Sequence, residues 1–514
     1  MRRAAAILIF ICIATALRVA STHDEFSPTW DEPIHVAAGF QYVTTGDYWW
    51  DLQHPPLARI AAAWPLRHAA PTATEIFPRA AQIYDAAGGY MKGVALSRRG
   101  NLIFLVAAIA GVFLWAVQIA GRVVALVAAA IFASLPAILA HAGVATTDMA
   151  GVAAFALSMA AIHFWLDAPN WRRTFLLAAA IGVGLVSKFS FPLFFAIGAV
   201  VMMIARRRFP LGKGAVAHLL AFVIVWGVYG WEHRRLARID PRMAEAVTNF
   251  FGTPTVAERV RLPASRFFAG LFAVQLHNRE GHGAFLLGEL RTDGWWYYFP
   301  VALAVKTPLP ALALAATGIF LSIRRRADLD HLAVIAAGLL ASTMTSRINI
   351  GVRHILPIYV PLAILAAYAV VELCRARFGR IIAAVLCGWL VIGGALAHPD
   401  YLPWMNGLAG NHPEQVLLDS NFDWGQDIHR LAVQCRKRNI PHLNATLFGT
   451  ADYARLGMPP TTPIDPHTAS PGWYALSEGE VVAAQVRDPS AYRWLTAGRR
   501  FERIGKTIRL YHVP

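Results

Sequence analysis

Long apolar runs constrain this chain more than any other feature of its sequence. Runs close to the length of a bilayer span recur up to about residue 398, and short polar or Pro- and Gly-rich stretches separate them. Only 15% of the residues are charged, against roughly 25% in an ordinary soluble domain. This combination excludes a soluble enzyme and predicts an all-α polytopic membrane protein.

Windows of about 19 residues predict about eleven transmembrane helices. Their approximate centres are residues 12, 109, 131, 158, 180, 198, 222, 311, 338, 364 and 389. The opening MRRAAAILIFICIATALRVAS has the features of a signal peptide and also those of a first transmembrane helix. Because many apolar runs follow it, we expect an uncleaved helix with a cytoplasmic N-terminus.

The distribution of positive charge predicts the orientation. The chain carries 47 Lys and Arg against 31 Asp and Glu, a net charge of +16. These cations cluster at every second loop, for example at 206–208 and 324–326, as the positive-inside rule requires of cytoplasmic loops. The charge therefore needs no nucleic-acid partner, and an odd number of helices places the C-terminus outside.

Three segments on the predicted outer side are long. The first outer loop, about residues 21–100, contains amphipathic stretches at 34–42 and 80–91, which predict juxtamembrane helices in the interface plane. The second spans about residues 232–296. After a transmembrane domain of residues 1–398, residues 399–514 show shorter apolar runs and strand-like patterns, and they predict a small extracytoplasmic α/β domain.

Two neighbouring acids in the first outer loop are candidate catalytic residues. Asp31 and Glu32 precede Pro33, and proline is tolerated only in the first turn of a helix, so a helix is expected to begin at one of the two acids. One interpretation is a capping box, Thr29-x-x-Glu32, that serves only the helix terminus. Because adjacent residues do not share a helix face, at most one acid points into a given site, and we expect Asp31.

A third acid, Asp148, lies in HAGVATTDMAGVAAF at the predicted outer end of the fourth helix. A carboxylate at the edge of an apolar helix is costly unless water, a cation or a partner receives it, which favours a functional interpretation. The alternative is an N-cap formed by Thr147 or Asp148. Two carboxylates at a membrane surface fit glycosyl transfer, in which one deprotonates the acceptor hydroxyl and the other orients it or binds a metal.

These acids belong to a series of motifs spread over most of the chain. In order, the motifs are Asp31-Glu32, Gly46-Asp47, His54-Pro55-Pro56-Leu57, ATTD ending at Asp148, GLVSKFS around Lys188, FLLGE, GWWYYFPVALAVKTPLP, INIGVRHILPIYVP and LLDSNFDWGQD. The series resembles the dolichyl- or undecaprenyl-phosphate-dependent glycosyltransferases of the GT-C class. Within that class it is similar to the protein O-mannosyltransferase and lipid A aminoarabinose transferase superfamily, family 39-like, in its bacterial phospholipid carrier-dependent branch.

The resemblance implies a GT-C fold in the bacterial inner membrane. It implies inverting transfer of a hexosyl or pentosyl group from a polyprenyl-phosphate-linked donor to a lipid, glycan or protein acceptor on the non-cytoplasmic face. In that family the acid matching Asp31 is the proposed catalytic carboxylate, acting here as base or acceptor-orienting group, and the acid matching Asp148 helps to build the same site. Glu32 is the third catalytic candidate.

Substrate-binding candidates are His35, Asp47, His54 and His354. At His35 and His54 the aminoarabinose transferases tend to carry Tyr and Lys, so the sugar and the acceptor stay open. The donor phosphate needs cations on the outer side. Those candidates are Arg353, Lys188 and Lys306, with snorkelling to lipid headgroups as the alternative. Arginine grips two phosphate oxygens at once, which favours Arg353.

Other features leave alternatives open. The stretch HNREGHG around residue 280 could hold a divalent cation with Asp31 or Glu32, although no metal-ligand spacing supports it and no cofactor is required. The cluster Asp419, Asp423, Trp424 and Asp427 either cradles a saccharide or caps a helix that begins near Gln426. At the level of function, the rivals are a transporter or flippase of lipid-linked saccharides and an inactive binding protein on the same scaffold.

Overall fold

The structure is a computed structural model. It describes residues 2–235, 261–325, 327, 329–468 and 470–514, together with residues 242, 245, 248 and 259. The second predicted outer loop, 232–296, therefore lies partly outside the described residues. Helices dominate the chain up to residue 398, and the largest sheet is built from strands after residue 440.

Sixteen α-helices are described before residue 398. They are α1 Arg2–Ala20, α2 Glu32–Thr45, α3 Leu57–Ala63, α4 Ile76–Asp85, α5 Tyr90–Ser134, α6 Pro136–Ala142, α7 Asp148–Asp167, α8 Trp171–Leu185, α9 Phe191–Arg206, α10 Leu211–Val228, α11 Ser265–Glu280, α12 Tyr298–Lys306, α13 Leu309–Arg325, α14 Asp330–Thr343, α15 Tyr359–Leu373 and α16 Arg377–Leu396. A 3-10 helix, Val352–Ile358, leads directly into α15.

Every predicted transmembrane centre falls inside one of these helices. Helix α5 contains two of the centres, and it is broken at Gly121, whose backbone angles (φ 81°, ψ 175°) are not helical. Within the described residues, six helices are long and apolar enough to cross a membrane, or seven if α12 and α13, bent by 111°, form one span. The protein is an integral membrane protein, and the number eleven stays a prediction.

Helix α7 lies at the centre of the helical bundle. It packs against α5, α8 and α9. Of the residues in its apolar 18-residue stretch, 89% are buried. Because Asp148 is the first residue of α7, the most buried of the candidate membrane spans fixes the position of this acid. We call the end of the bundle at which α2 and α7 begin the site end.

The first loop is more deeply packed than its amphipathic patterns predict. Helix α2 buries Val36, Ala37 and Phe40 against α3 and α4. The stretch 80–91 is not one helix, because the chain turns through Gly88 and Gly89 at positive φ (84° and 140°) between α4 and α5. The prediction of a single amphipathic helix there was therefore wrong.

Small two-stranded sheets follow in the second loop. They pair β1 His233–Arg235 with β2 Arg261–Pro263, and β3 Ala284–Leu286 with β4 Glu289–Arg291. The five-stranded sheet near the C-terminus consists of β5 Leu443–Thr446, β6 Thr461–Thr462, β7 Gly472–Ser477, β8 Glu502–Ile504 and β9 Ile508–Val513, with order β6-β5-β7-β9-β8. Strand β5 runs parallel to β6 and β7, whereas β9 is antiparallel to β7 and β8. Helices α17 Ile428–Lys437, α18 Glu478–Arg487 and α19 Arg493–Thr496 accompany the sheet.

The stretch 399–427 packs differently from the sheet that follows it. Tyr401, Leu417 and Trp424 belong to the hydrophobic core of the helical bundle. The sheet instead shares a core with the first loop, in which Leu443 and Leu510 join residues of α2 and α4. The division into 1–398 and 399–514 stays a prediction, but the segment just after residue 398 is packed as part of the bundle.

Candidate functional site

Asp31 and Arg353 form an ion pair at the site end. Helix α2 begins at Glu32 with proline in its first turn, and the Asp31 side chain makes no capping hydrogen bond. Its Oδ2 instead accepts a hydrogen bond from an Nη of Arg353 at 2.5 Å. The guanidinium carbon of Arg353 lies 4.5 Å from the centre of the Trp424 ring, which covers it. Asp31 is therefore available for chemistry rather than used to begin its helix.

Asp148 forms the second ion pair, with Lys188 in the loop between α8 and α9. Lys188 Nζ lies 2.5 Å from Asp148 Oδ1, and the Thr146 hydroxyl donates to Oδ2 at 2.8 Å. Thr147 occupies the N-cap position of α7, but neither Thr147 nor Asp148 makes a side-chain capping hydrogen bond. Lys188 Nζ also donates to the backbone carbonyl of Arg353 at 3.3 Å, which joins the two ion pairs into one cluster.

Several buried nitrogens around this cluster have no partner among the described residues. They are Arg353 Nε, His354 Nε2 and His141 Nδ1, and the last lies 3.8 Å from Asp148 Oδ2. Leaving buried polar groups unpaired costs about 1–3 kcal/mol each. Of the three, Arg353 Nε is a donor whatever the tautomers of the histidines, so the site can receive a ligand with an acceptor oxygen.

Glu32 is fully engaged elsewhere. Its two carboxylate oxygens accept from the guanidinium of Arg98 at 2.8 and 2.7 Å, and also from the backbone N–H groups of Thr29 and Ala145 at 2.7 and 2.8 Å. The Thr29 contact is half of the predicted capping box. Because this buried carboxylate ties α2 to α5 and to the start of α7, the geometry favours a structural interpretation of Glu32 over the catalytic one.

Lys306 is also held away from the two ion pairs. Its Nζ donates to the backbone carbonyls of Leu402 and Asn421 at 2.6 and 2.7 Å, and the side chain is 2% exposed. Asn421 in turn accepts from the backbone N–H of Val352, next to Arg353. The lysine predicted to bind phosphate instead fastens the segment after residue 398 to the bundle.

His35 and His54 belong to a separate network around Arg59. Arg59 Nε donates to His35 Nδ1 at 2.9 Å, one of its Nη atoms donates to the Tyr48 hydroxyl at 2.7 Å, and it pairs with Asp51. His54 Nδ1 lies 3.1 Å from the Asp51 carboxylate. Burial by itself raises the pKa of Asp51, but the charge of Arg59 beside it holds that pKa well below its usual range.

This network contains three side chains with metal-ligand chemistry. Within the described part of the chain, potential ligand atoms of His35, Asp51 and His54 all lie within 4.8 Å of one another. Burial lowers the pKa of His35 well below its usual value, so the ring is neutral. Its Nδ1 accepts from Arg59, hence its Nε2 carries the proton and cannot bind a metal. The residues therefore do not fit a cation here; they offer an N–H donor instead.

The remaining predicted residues lie farther out. Asp47 is 48% exposed and approaches Arg266 and Arg234 at 3.7 and 3.8 Å. In the HNREGHG stretch, His277 Nε2 lies 3.1 Å from His282 Nδ1, and His277 Nδ1 lies 3.1 Å from Gln53. In the described structure these histidines contact each other rather than Asp31 or Glu32.

Comparison with known proteins agrees with this architecture. Residues 95–231 match the family model described as dolichyl-phosphate-mannose-protein mannosyltransferase. The crystal structure of ArnT from Cupriavidus metallidurans in the apo state aligns with a TM-score of 0.50 at 13% identity, over 99% of this chain and 98% of that chain. The chain has the GT-C fold.

Two further solved structures align with this GT-C protein at lower scores. ArnT from Cupriavidus metallidurans bound to undecaprenyl phosphate gives a TM-score of 0.49 at 13% identity, over 98% of this chain and 97% of that chain. The archaeal oligosaccharyltransferase AglB from Archaeoglobus fulgidus, in complex with an inhibitory peptide and a dolichol-phosphate, gives 0.47 at 11% identity, over 94% and 71%. No curated protein sequence matches significantly. The functions of individual residues are therefore argued from this site alone.

Sequence reasoning left the function of one acid in this GT-C protein undecided. Asp419 lies in a 3-10 turn, Asp419–Asn421, and adopts a positive φ of 56°. The next residue fastens that turn to the chain just before Arg353, because the Ser420 hydroxyl donates to the Ile350 carbonyl at 2.5 Å. Burial raises the pKa of Asp419 to about 6, against the opposing charge of Arg353. After Asp31 and Asp148, Asp419 is thus a third acid whose charge acts on Arg353.

The members of the acidic cluster Asp419, Asp423, Trp424 and Asp427 make different contacts. Trp424 covers Arg353, whereas Asp427 accepts from the backbone N–H groups of Lys506 and Thr507 at 2.9 and 3.1 Å. Helix α17 begins at Ile428, and Asp427 makes no capping hydrogen bond to it. Asp427 therefore occupies the predicted N-cap position, but its carboxylate holds the turn before β9.

Proposed function

We propose that this protein is a glycosyltransferase of the non-cytoplasmic membrane face. It takes a hexose or pentose from a polyprenyl-phosphate-linked donor and transfers it, with inversion, to a lipid, glycan or protein acceptor. The GT-C fold and the dolichyl-phosphate-mannose family model support the donor class. The proposal places the site end and the C-terminal domain outside a bacterial inner membrane, with the N-terminus in the cytoplasm.

One observation carries this proposal. Two carboxylates from distant parts of the chain, Asp31 and Asp148, converge at one end of the bundle, each paired with a cation. The cations are themselves joined through the carbonyl of Arg353. Carboxylate and cation together are what transfer from a phosphate-linked sugar needs, since one receives a proton and the other meets the charge of the departing phosphate.

The transfer then follows from these positions. Asp31 accepts the proton of the acceptor hydroxyl while that oxygen attacks the anomeric carbon of the sugar. The bond between this carbon and the phosphate oxygen breaks, and its electron pair stays on the phosphate. Arg353 and Lys188 stabilise the resulting charge, and Asp148 holds Lys188 in place. A single displacement of this kind inverts the sugar carbon.

Arg353 has nitrogens for both the donor phosphate and Asp31. Its Nε has no partner among the described residues, so a phosphate can bind there while an Nη still contacts Asp31. A phosphate bound at Nε places the donor next to the carboxylate that receives the proton of the acceptor hydroxyl.

Substitution of the acids tests the proposal. In protein reconstituted with polyprenyl-phosphate hexoses and pentoses, we expect Asp31→Asn to reduce sugar transfer roughly a hundred- to ten-thousand-fold, because a general base is lost. Asp148→Asn should also reduce transfer, mainly by freeing Lys188. The matched control is Asp24→Asn, an exposed acid of the same loop.

The outcomes discriminate between the proposed activity and its rivals. Unchanged transfer in both variants at normal protein levels contradicts the site assignment. If the native protein moves lipid-linked saccharides across vesicle membranes but releases no polyprenyl phosphate from any donor, the transport interpretation replaces the enzyme.

A further inference from the structure

A polar cavity of about 770 Å³ lies between α5, α7, α9 and α14. Its walls include Gln118, His163, Arg208 and Asp330. Because His163 follows Asp148 by 15 residues on α7, it lies about 22 Å along that helix at 1.5 Å per residue. The cavity is therefore at the opposite end of the bundle from the ion pairs described above, and it takes no part in the proposed transfer.

The cavity wall carries one exposed cation and one exposed anion that do not pair with each other in the described part of the chain. Arg206 pairs with Asp167. Arg208 uses one terminal nitrogen to donate to two backbone carbonyls at the end of α7, at 2.6 and 2.5 Å. Asp330 accepts a backbone N–H of its own helix at 3.0 Å. Among the ion pairs of the described chain there is none between Arg208 and Asp330, although both line the same cavity.

Two further observations indicate that the cavity receives a ligand. His163 Nδ1 and Gln118 Oε1 are buried without a partner among the described residues, and burying such atoms unpaired is costly. The wall also includes Ile204 and Val334, which are 60% and 55% exposed. Polar groups next to exposed apolar side chains match the two parts of a lipid.

We propose that this cavity binds the phosphoethanolamine headgroup of a phospholipid. Its phosphate pairs with Arg208, its primary ammonium pairs with Asp330, and its acyl chains lie over Ile204 and Val334. Basic pockets between transmembrane helices are known sites for lipid headgroups. Asp330, which has no ion-pair partner among the described residues, distinguishes a zwitterionic headgroup from an anionic one, because a purely anionic ligand leaves this carboxylate facing a like charge.

Lipid titration of the full-length protein in detergent tests the proposal. We expect phosphatidylethanolamine to raise Tm by roughly 5 °C at about 100-fold its dissociation constant. Phosphatidylglycerol lacks the ammonium, phosphatidylcholine lacks ammonium N–H groups, and inorganic phosphate lacks both ammonium and acyl chains. Each should therefore give a clearly smaller shift.

Variants separate the two contacts. Arg208→Gln should remove most of the shift, whereas Asp330→Asn should remove the preference for phosphatidylethanolamine over phosphatidylglycerol. The control is Arg173→Gln, because Arg173 donates to the Phe164 carbonyl near the same end of α7 and is not part of the cavity wall. If Arg208→Gln does not fold, Ala205→Trp, which fills the cavity from its wall, should abolish the shift.

Four results would overturn the proposal. Equal shifts from all phospholipids indicate a general effect of lipid on the detergent-solubilised protein. A shift from phosphatidylglycerol alone indicates an anion site, and an equal shift from inorganic phosphate indicates a site for the free ion. Undiminished phosphatidylethanolamine binding in Arg208→Gln and Ala205→Trp also contradicts it.

Discussion

Arg353 is in contact with three separate parts of the chain. It donates to Asp31 in the first loop, lies under the ring of Trp424 and offers its backbone carbonyl to Lys188. An arginine keeps its charge at any physiological pH, and the carboxylates of Asp31, Asp148 and Asp419 all act on it. A phosphate that enters this site therefore meets acids as well as cations.

At the scale of the residue, Glu32 offers a first prediction. Glu32→Gln leaves Arg98 as an uncompensated buried charge, so we expect a loss of about 3–5 kcal/mol in the free energy of unfolding. Thermal unfolding of the purified protein measures this loss, with Asp24→Asn as the exposed control. A variant that is as stable as the wild type but inactive would instead make Glu32 a catalytic residue.

Asp423 offers a second prediction, on the pH dependence of stability. Burial raises the pKa of Asp423 to about 8, whereas in the unfolded chain this carboxyl titrates near 4. Between these values the unfolded chain releases a proton that the folded chain retains, so the contribution of Asp423 to stability falls as pH rises from about 4 to 8.

Asp423→Asn removes this dependence. Relative to the wild type, the variant should gain stability between pH 5 and pH 8, and unfolding temperatures recorded across this range measure the gain. An identical pH profile for the two proteins would mean that the Asp423 carboxyl is ionised in the folded state.

At the scale of the element, the crossing of α2 and α3 depends on Gly39. A Cβ built there would lie 2.1 Å from the backbone oxygen of Arg59. Gly39→Ala therefore forces the two helices apart, at a cost of about 1–3 kcal/mol, and moves Arg59 away from His35. The matched control is Gly388→Ala in α16, where a Cβ meets nothing within 4 Å. Equal unfolding temperatures for the two variants would contradict this account.

The features of the site that could be predicted are those with a signal in the neighbouring sequence. Pro33 indicated where α2 begins, and the apolar run after Asp148 indicated the start of α7, so both acids could be placed at helix starts from sequence. The pairing of Glu32 with Arg98 had no such signal, because the partners are 66 residues apart. Lys306 was misread because its partners are backbone carbonyls, which no residue type reveals.

The fold, like the site, has a part that the sequence predicts and a part that it does not. Hydropathy located the helices, because a run of apolar residues can be recognised within one segment of the sequence. The break at Gly121 and the packing of residues 399–427 on the bundle depend on contacts between distant segments. No pattern within one segment reports such contacts.

At the scale of the whole molecule, Trp424 connects the C-terminal part to the site. Trp424→Leu removes the ring over Arg353, a contact worth about 0.5–2 kcal/mol, so we expect sugar transfer to fall roughly 2- to 30-fold with a raised KM for the donor. The control is Trp473→Leu in β7, whose ring packs against His512 instead. Steady-state kinetics with varied donor measure the effect, and equal losses in both variants would indicate general damage to the domain.

The span of chain between Asp31 and Trp424 also has a consequence for biosynthesis. A ribosome delivers the first loop to the membrane long before it reaches the tryptophan that covers Arg353. Copies that stall or terminate early can insert their helices and still lack a finished reaction centre. A chain that ends before residue 424 therefore lacks the ring over Arg353, and the candidate site is complete only after that residue has been translated.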